Sequence, residues 1–151
     1  MKLSTRIIAG LLLILSIGVE SCDTFKDEVT PNSYSEAPKD VNGSWKLKTV
    51  LRNGTDITEK MDFSNFCIHL NEDRTYAIDN YLPFVVKENG TWRVDDPLYP
   101  FHILFNEDGT EEEQSTTVSL LVVNGQRQLK FELSPGCYSN TYIYTFEKIT
   151  E

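Results

Sequence analysis

Histidine, tryptophan, methionine and cysteine are all scarce in this 151-residue chain, which holds 2 His, 2 Trp, 2 Met and 3 Cys. Two imidazoles and three thiols leave little material for a metal centre or for a nucleophile held beside its base. Positive charge is in deficit too: 14 Lys+Arg stand against 23 Asp+Glu, a net charge of -9. A surface of that sign repels phosphates instead of displacing their counterions, so nucleic acid is not the expected partner. The longest apolar run, Ile7 to Val19, is 13 residues, whereas a membrane-spanning helix needs about 20. What the chain does have is 40% hydrophobic and 11% aromatic residues, enough for one core and too much for wholesale disorder or a collagen-like rod. Its length leaves room for one domain plus extras.

Lys2 and Arg6 precede the apolar run, and Glu20 ends it, the order of a secretory signal. Directly after it, Val19-Glu20-Ser21-Cys22 resembles the lipobox of bacterial lipoproteins: an aliphatic residue, a variable one, a small one, then cysteine. The resemblance implies that residues 1–21 are a signal peptide and that Cys22 becomes the acylated first residue of a lipid-anchored protein. Two or three acyl chains, at about 0.8 kcal/mol per buried methylene, hold a protein firmly where one does not. Cleavage removes Lys2, Arg6 and Glu20, so the mature chain has 12 basic against 22 acidic residues. Attachment through lipid needs no basic surface.

Residues 22–40 continue as DTFKDEVTPNSYSEAPKD after the cysteine, with two prolines and no apolar periodicity, a flexible tether. Eighteen such residues span at most roughly 60 Å when extended. Within it, Lys26-Asp27-Glu28 resembles the lysine-then-acidic export signal of some Bacteroidota lipoproteins, which puts the cell surface beside the periplasmic face of the outer membrane as the expected location. Once Cys22 is acylated, Cys67 and Cys137 remain. Outside the cytoplasm they either pair, closing a long loop worth roughly 4 kcal/mol on the loop-entropy model, or stand as unrelated thiols on a strand and in a turn.

From residue 41 to 151 the apolar pattern has period two, in short segments rich in β-branched and aromatic residues. Strands are expected near Ser44–Arg52, Asn65–Asn71, Arg74–Asn80, Gly90–Val94, Pro100–Asn106, Ser115–Val123, Gln126–Leu133 and Thr141–Ile149. Between them stand Asn53-Gly54, Glu72-Asp73, Asn89-Gly90, Asp108-Gly109, Asn124-Gly125 and Pro135-Gly136, dipeptides suited to hairpin turns. The inward face then carries Trp45, Leu47, Phe66, Ile68, Leu70, Tyr76, Ile78, Trp92, Val94, Phe101, Ile103, Phe105, Val118, Leu120, Val122, Leu129, Phe131, Leu133, Tyr142, Tyr144 and Phe146. Lys46, Lys48, Cys67, His69, Thr75, Arg93, His102, Ser119, Lys130 and Glu132 face outward. Eight strands with one apolar face bury it by closing into an antiparallel up-and-down barrel, which also removes the edges; a β-sandwich satisfies the same pattern. Asp56-Ile57-Thr58-Glu59 has capping-box spacing and is expected to start a turn or two of helix.

Chemistry-bearing constellations are thin. His69 and His102 sit mid-strand on the polar face, and no Gly-x-Ser-x-Gly elbow is present, so a nucleophilic enzyme is not expected. Cys67, His69, His102 and Cys137 are zinc-ligand types in a spacing that fits no finger or knuckle. Glu111-Glu112-Glu113 lacks the alternating ligands of a calcium loop and reads as a solvated hairpin tip. The Asn-Gly-Ser/Thr triplets at Asn42, Asn53 and Asn89 read as turns. No cofactor is implied. What stands out is an aromatic load, Trp45, Tyr76, Trp92, Tyr142 and Tyr144, able either to line an apolar cavity or to fill the core.

Gly43-Ser44-Trp45 on the first strand resembles the lipocalin-like barrels, whose first strand carries Gly-x-Trp at the barrel floor. Asn53 to Thr58, Phe63 to Phe66, Tyr81 to Phe84, Gly90-Thr91-Trp92, Pro97 to Pro100 and Ser134 to Cys137 leading to Tyr142 are similar to an uncharacterised family of small Bacteroidota lipoproteins with a lipocalin-like domain. The likeness covers about residues 41–150. It implies a barrel and an envelope address, and carries over no binding or catalytic residue. The expected function is a non-enzymatic, lipid-anchored module holding a small apolar or glycan-like ligand in the barrel mouth near Trp45 or Trp92. The alternative is an interaction lipoprotein with a solid barrel that docks an envelope protein through Tyr81–Phe84 and Pro97–Phe101.

Overall fold

The computed structural model describes residues 35–150 apart from 64, 83, 137 and 138. The signal segment, Cys22, most of the tether and Cys137 lie outside the described residues. Nine strands follow in order: β1 (Gly43–Arg52), β2 (Thr55–Asp56), β3 (Cys67–Leu70), β4 (Thr75–Asp79), β5 (Gly90–Val94), β6 (His102–Glu107), β7 (Glu113–Val123), β8 (Gln126–Leu133) and β9 (Tyr142–Lys148). All pairings are antiparallel, and apart from the two-residue β2 each strand pairs with its successor. The ring closes through β1 and β9, from Trp45 against Lys148 to Arg52 against Tyr142. The result is the eight-stranded up-and-down barrel of the period-two pattern, with β2 as a stub; the sandwich is ruled out by that closure.

Turn chemistry explains the short connections. Asn53 (φ 49°) with Gly54 (φ 77°), and Asn124 (φ 52°) with Gly125 (φ 79°), supply the paired positive φ angles that a two-residue hairpin needs. Between β5 and β6 the strands approach so closely that a Cβ on Gly90 would sit 2.0 Å from the Asn106 carbonyl oxygen. Any side chain there would part the two strands. The expected helical turn at Asp56–Glu59 does not form; no helix occurs among the described residues. Asp56 Oδ1 instead accepts from the Thr58 N–H (2.8 Å) and hydroxyl (2.6 Å), a local turn that competes with helix.

The interior is filled. Trp45, Val50, Phe66, Ile68, Ile103, Phe105, Leu129, Phe131 and Phe146 are fully buried. Val50 breaks the simple alternation because β1 bulges between Leu47 and Thr49, which brings Val50 to the inner face after Leu47. Phe84, from the β4–β5 connection, drops onto this core with its ring 5.4 Å from Phe66, 5.6 Å from Phe131, 5.4 Å from Tyr144 and 5.9 Å from Phe146. It plugs one end, here termed the mouth, where the Arg52, Leu133 and Tyr142 ends of β1, β8 and β9 meet.

The other end is the floor. Residues 39–41 cross it: the Lys39 N–H donates to the Pro97 carbonyl (2.8 Å), Asp40 meets Arg127 (3.0 Å) and Lys148 (3.6 Å), and the Val41 carbonyl accepts from the Trp45 indole (3.0 Å). Two expectations fail here. Phe101 and Val122, expected inside, are 66% and 71% exposed. The β8–β9 ladder begins only at Gln128 opposite Glu147, so the β7–β8 ribbon below it, with Val122 opposite Arg127, projects past the barrel wall; Phe101 precedes β6 and lies outside it too.

Candidate functional site

At the mouth, an apolar cleft of about 330 Å³ opens between the 57–63 turn and the ends of β8 and β9. Phe84 and Tyr144 form its base, Ile57, Met61, Phe63, Leu133, Pro135 and Tyr142 its walls, and Arg52 and Lys60 bring the only cations among its described lining residues. That volume lies near the lower bound of ligand pockets, roughly 300 Å³.

The walls are held by a few local bonds. Thr58 Oγ1, held by Asp56, accepts the Val50 N–H (2.9 Å), and the Ile57 N–H donates to the Val50 carbonyl (2.9 Å), pinning the turn to β1. Across the cleft, Asn53 exchanges bonds with Thr141, its N–H donating to the carbonyl and its Oδ1 accepting the N–H, both at 2.8 Å. Arg52 donates to Asn140 Oδ1 (3.2 Å) and lies 5.6 Å from the Tyr142 ring centre, so its charge is steered along the rim. Burial, and then the neighbouring Tyr142 and Tyr81, push the Tyr144 hydroxyl up to about 12. Tyr144 is therefore neutral at ordinary pH, a hydrogen-bonding tip on an apolar ring.

Of the five aromatic residues expected to line a cavity, the structure brings only Tyr142 and Tyr144 to the cleft. Trp45 is wholly buried at the floor, with Arg127 and Lys148 at 5.9 and 5.8 Å from its ring centre. It stands seven residues below Arg52 on β1, roughly 23 Å along the strand. Trp92 stays near the floor as well, its indole donating to the Asn71 carbonyl (3.3 Å) with Arg74 at 4.7 Å. Tyr76 is core, 5.0 Å from Phe105. Neither tryptophan borders the cleft; the aromatic residues expected at a cavity that do border it are Tyr142 and Tyr144. Of the residues expected at a docking loop, Phe84 turns inward onto the core, whereas Tyr81 is exposed. Phe84, Met61 and Ile57 were not expected at a cavity because they lie in connections, where alternation has no meaning; the Phe63 and Phe84 segments entered only through the family resemblance and, for Tyr81–Phe84, as a docking segment.

Cys67 has a free, half-buried thiol on the outer face of β3. Burial, and then the charge of Asp79, raise its pKa against the opposing pull of Lys46, which keeps it a thiol. Cys137 lies outside the described residues.

The two histidines are not brought together. His102 Nδ1 is 3.0 Å from Asp95 Oδ2 beside β6, whereas His69 sits on β3 between Ser44 Oγ (2.8 Å) and Asp79 Oδ2 (2.9 Å). Serine, histidine and aspartate in line have the makings of a nucleophile, and spacing in sequence gave no hint of it. The row lies on the outer wall, however, where register pairs Ser44 with His69 and His69 with Ala77. It acts as a cross-strand tie. No group of three or more metal-ligating side chains occurs among the described residues.

A family described as a domain of unknown function, DUF5004, matches residues 23–147. The chain belongs to the DUF5004 family. No curated protein and no solved structure matches it. The family match spans the barrel from before the floor segment to β9, and so both ends, the Trp45 floor and the Tyr142 mouth, are parts of the DUF5004 domain.

Proposed function

We propose that this DUF5004 protein is a lipid-anchored lipoprotein of the outer membrane, held through Cys22 on the cell-surface or periplasmic side, whose barrel is a non-enzymatic binding module for a small apolar ligand. The mouth cleft carries the reading: eight apolar or aromatic side chains converge on about 330 Å³, with Arg52 and Lys60 at its edge to meet a polar group of the ligand. The balance of the lining favours an apolar ligand over a glycan, since a sugar needs several hydrogen-bonding partners and the cleft has few.

The alternative, an envelope interaction protein with a solid barrel, draws on the filled interior beneath Phe84. Native mass spectrometry of the full protein purified from its own host separates the two. A co-purified small molecule lost in Tyr142→Ala supports the module; a stable protein complex and no small molecule supports the alternative. Metabolic labelling with a fatty acid tests the anchor: label on wild type and none on Cys22→Ser is expected, and equal label on both contradicts it.

A further inference from the structure

Exposed apolar side chains are distributed unequally between the ends of the barrel. Of the eight large hydrophobic residues exposed among those described, two, Met61 and Tyr81, belong to the mouth. The other six, Tyr99, Phe101, Leu121, Val122, Val123 and Ile149, belong to the floor end. They come from neighbouring elements: the Phe101 carbonyl accepts the Val118 N–H of β7 (2.8 Å), and the Ile149 N–H donates to Ser44 (2.8 Å) at the start of β1. Val122, at the tip of the projecting ribbon, is the most exposed of all at 71%.

We infer that the floor end is a membrane-docking surface, with the lipid bilayer as its occupant. This rests on the lipid anchor proposed above. Three observations select a bilayer. The chain joins the barrel at Lys39, on the floor, so a tether from Cys22 delivers this end to the membrane first. Most floor acids are held locally: Asp40 is ion-paired with Arg127 and Lys148, and Asp95, Asp96 and Asp73 accept hydrogen bonds from His102 and the Phe101 N–H, from the Leu98 and Tyr99 N–H groups, and from Thr75, while Glu72 is exposed in the β3–β4 hairpin. The acidic run Glu111–Glu113 instead lies at the β6–β7 hairpin, on the mouth side, where anionic headgroups would not meet it. An apolar set brought up by a tether inserts shallowly among headgroups, and the mouth cleft then faces away from the bilayer.

Photocrosslinking tests the docking. Full-length acylated protein bearing Val122→p-benzoylphenylalanine, or Tyr81→p-benzoylphenylalanine at the mouth, is reconstituted on phosphatidylethanolamine–phosphatidylglycerol vesicles and irradiated. Both positions are exposed, so neither replacement disturbs the core. Lipid adducts at 122 exceeding those at 81 by about tenfold are expected, because benzophenone labels what it touches and only the floor side chains are buried among acyl chains. Lipid adducts no more frequent at 122 than at 81, or a polypeptide adduct at 122 from a second copy, overturn the docking while leaving the anchor in place. A wild-type protein without an acyl mass on Cys22 overturns both.

Discussion

The two ends of the barrel are closed by different means, and the difference shows where function has room. The floor is closed by strand residues and a crossing segment: Trp45 is bonded to Val41 and covered by Arg127 and Lys148, and Asp40 ties those two cations to the crossing chain. The mouth is closed by one side chain from a loop, Phe84, and the space beside it is the cleft. Strand ladders fix the first; a turn pinned at Thr58 and a loop plug fix the second. Sites that must admit a ligand are drawn from the less tightly held parts of a structure.

Substitutions sharpen this contrast, beginning with the floor. Trp45→Ala removes a fully buried ring and leaves Arg127 and Lys148 facing a void; a loss of about 3–5 kcal/mol in denaturant unfolding is expected, with the mouth dependent on the surviving fold. Phe84→Ala is the matching change at the mouth. It is half-buried, so a loss of about 2–3 kcal/mol is expected, together with a deeper cleft that holds larger apolar probes. If Phe84→Ala proves costlier than Trp45→Ala, the ranking of the two ends is wrong. Tyr76→Phe is smaller and of opposite sign. The Tyr76 hydroxyl is buried with no hydrogen-bond partner among the described residues, and removing it is expected to raise stability by about 1 kcal/mol; a loss of that size would mean the hydroxyl is satisfied.

The smallest effect concerns pH at the floor. The His102 backbone N–H, then its imidazole and the Phe101 and Asp96 N–H groups, hold Asp95 well below its ordinary 3.8. A carboxyl depressed in the folded state contributes fully above its unfolded value and loses that contribution as pH falls through it, because the unfolded chain then binds more protons. Asp95→Asn should lower the neutral plateau of a melting-temperature profile and so flatten its acid limb below about pH 4, with the most acidic end little changed. An unaltered acid limb would show that the Asp95 bonds do not survive in solution.

Much of the barrel was legible in the chain. Period-two segments from Trp45 to Phe146 placed the eight strands, and Asn53-Gly54 and Asn124-Gly125 marked hairpins, because inward burial and positive φ leave a direct residue signature. The inner face was overextended at Phe101 and Val122, since alternation cannot say where a strand runs past the barrel wall. Val50 was missed for the opposite reason, a bulge that resets the phase. The site was only partly legible: Tyr142 and Tyr144 stood out as strand aromatics, whereas Phe84, Met61 and Ile57 reach the mouth through irregular loops. Trp45 and Trp92 were the most conspicuous residues and turned out to be packing, as large rings in a small barrel usually are.

The central claim, one apolar site at the mouth of a filled barrel, is tested most directly by titrating the full protein with the apolar anionic dye anilinonaphthalene sulfonate. A single saturable site is predicted, weakened by about tenfold or more in Tyr142→Ala and unchanged in the floor variant Val122→Ala. Binding that survives Tyr142→Ala, or that falls away in Val122→Ala, would contradict it.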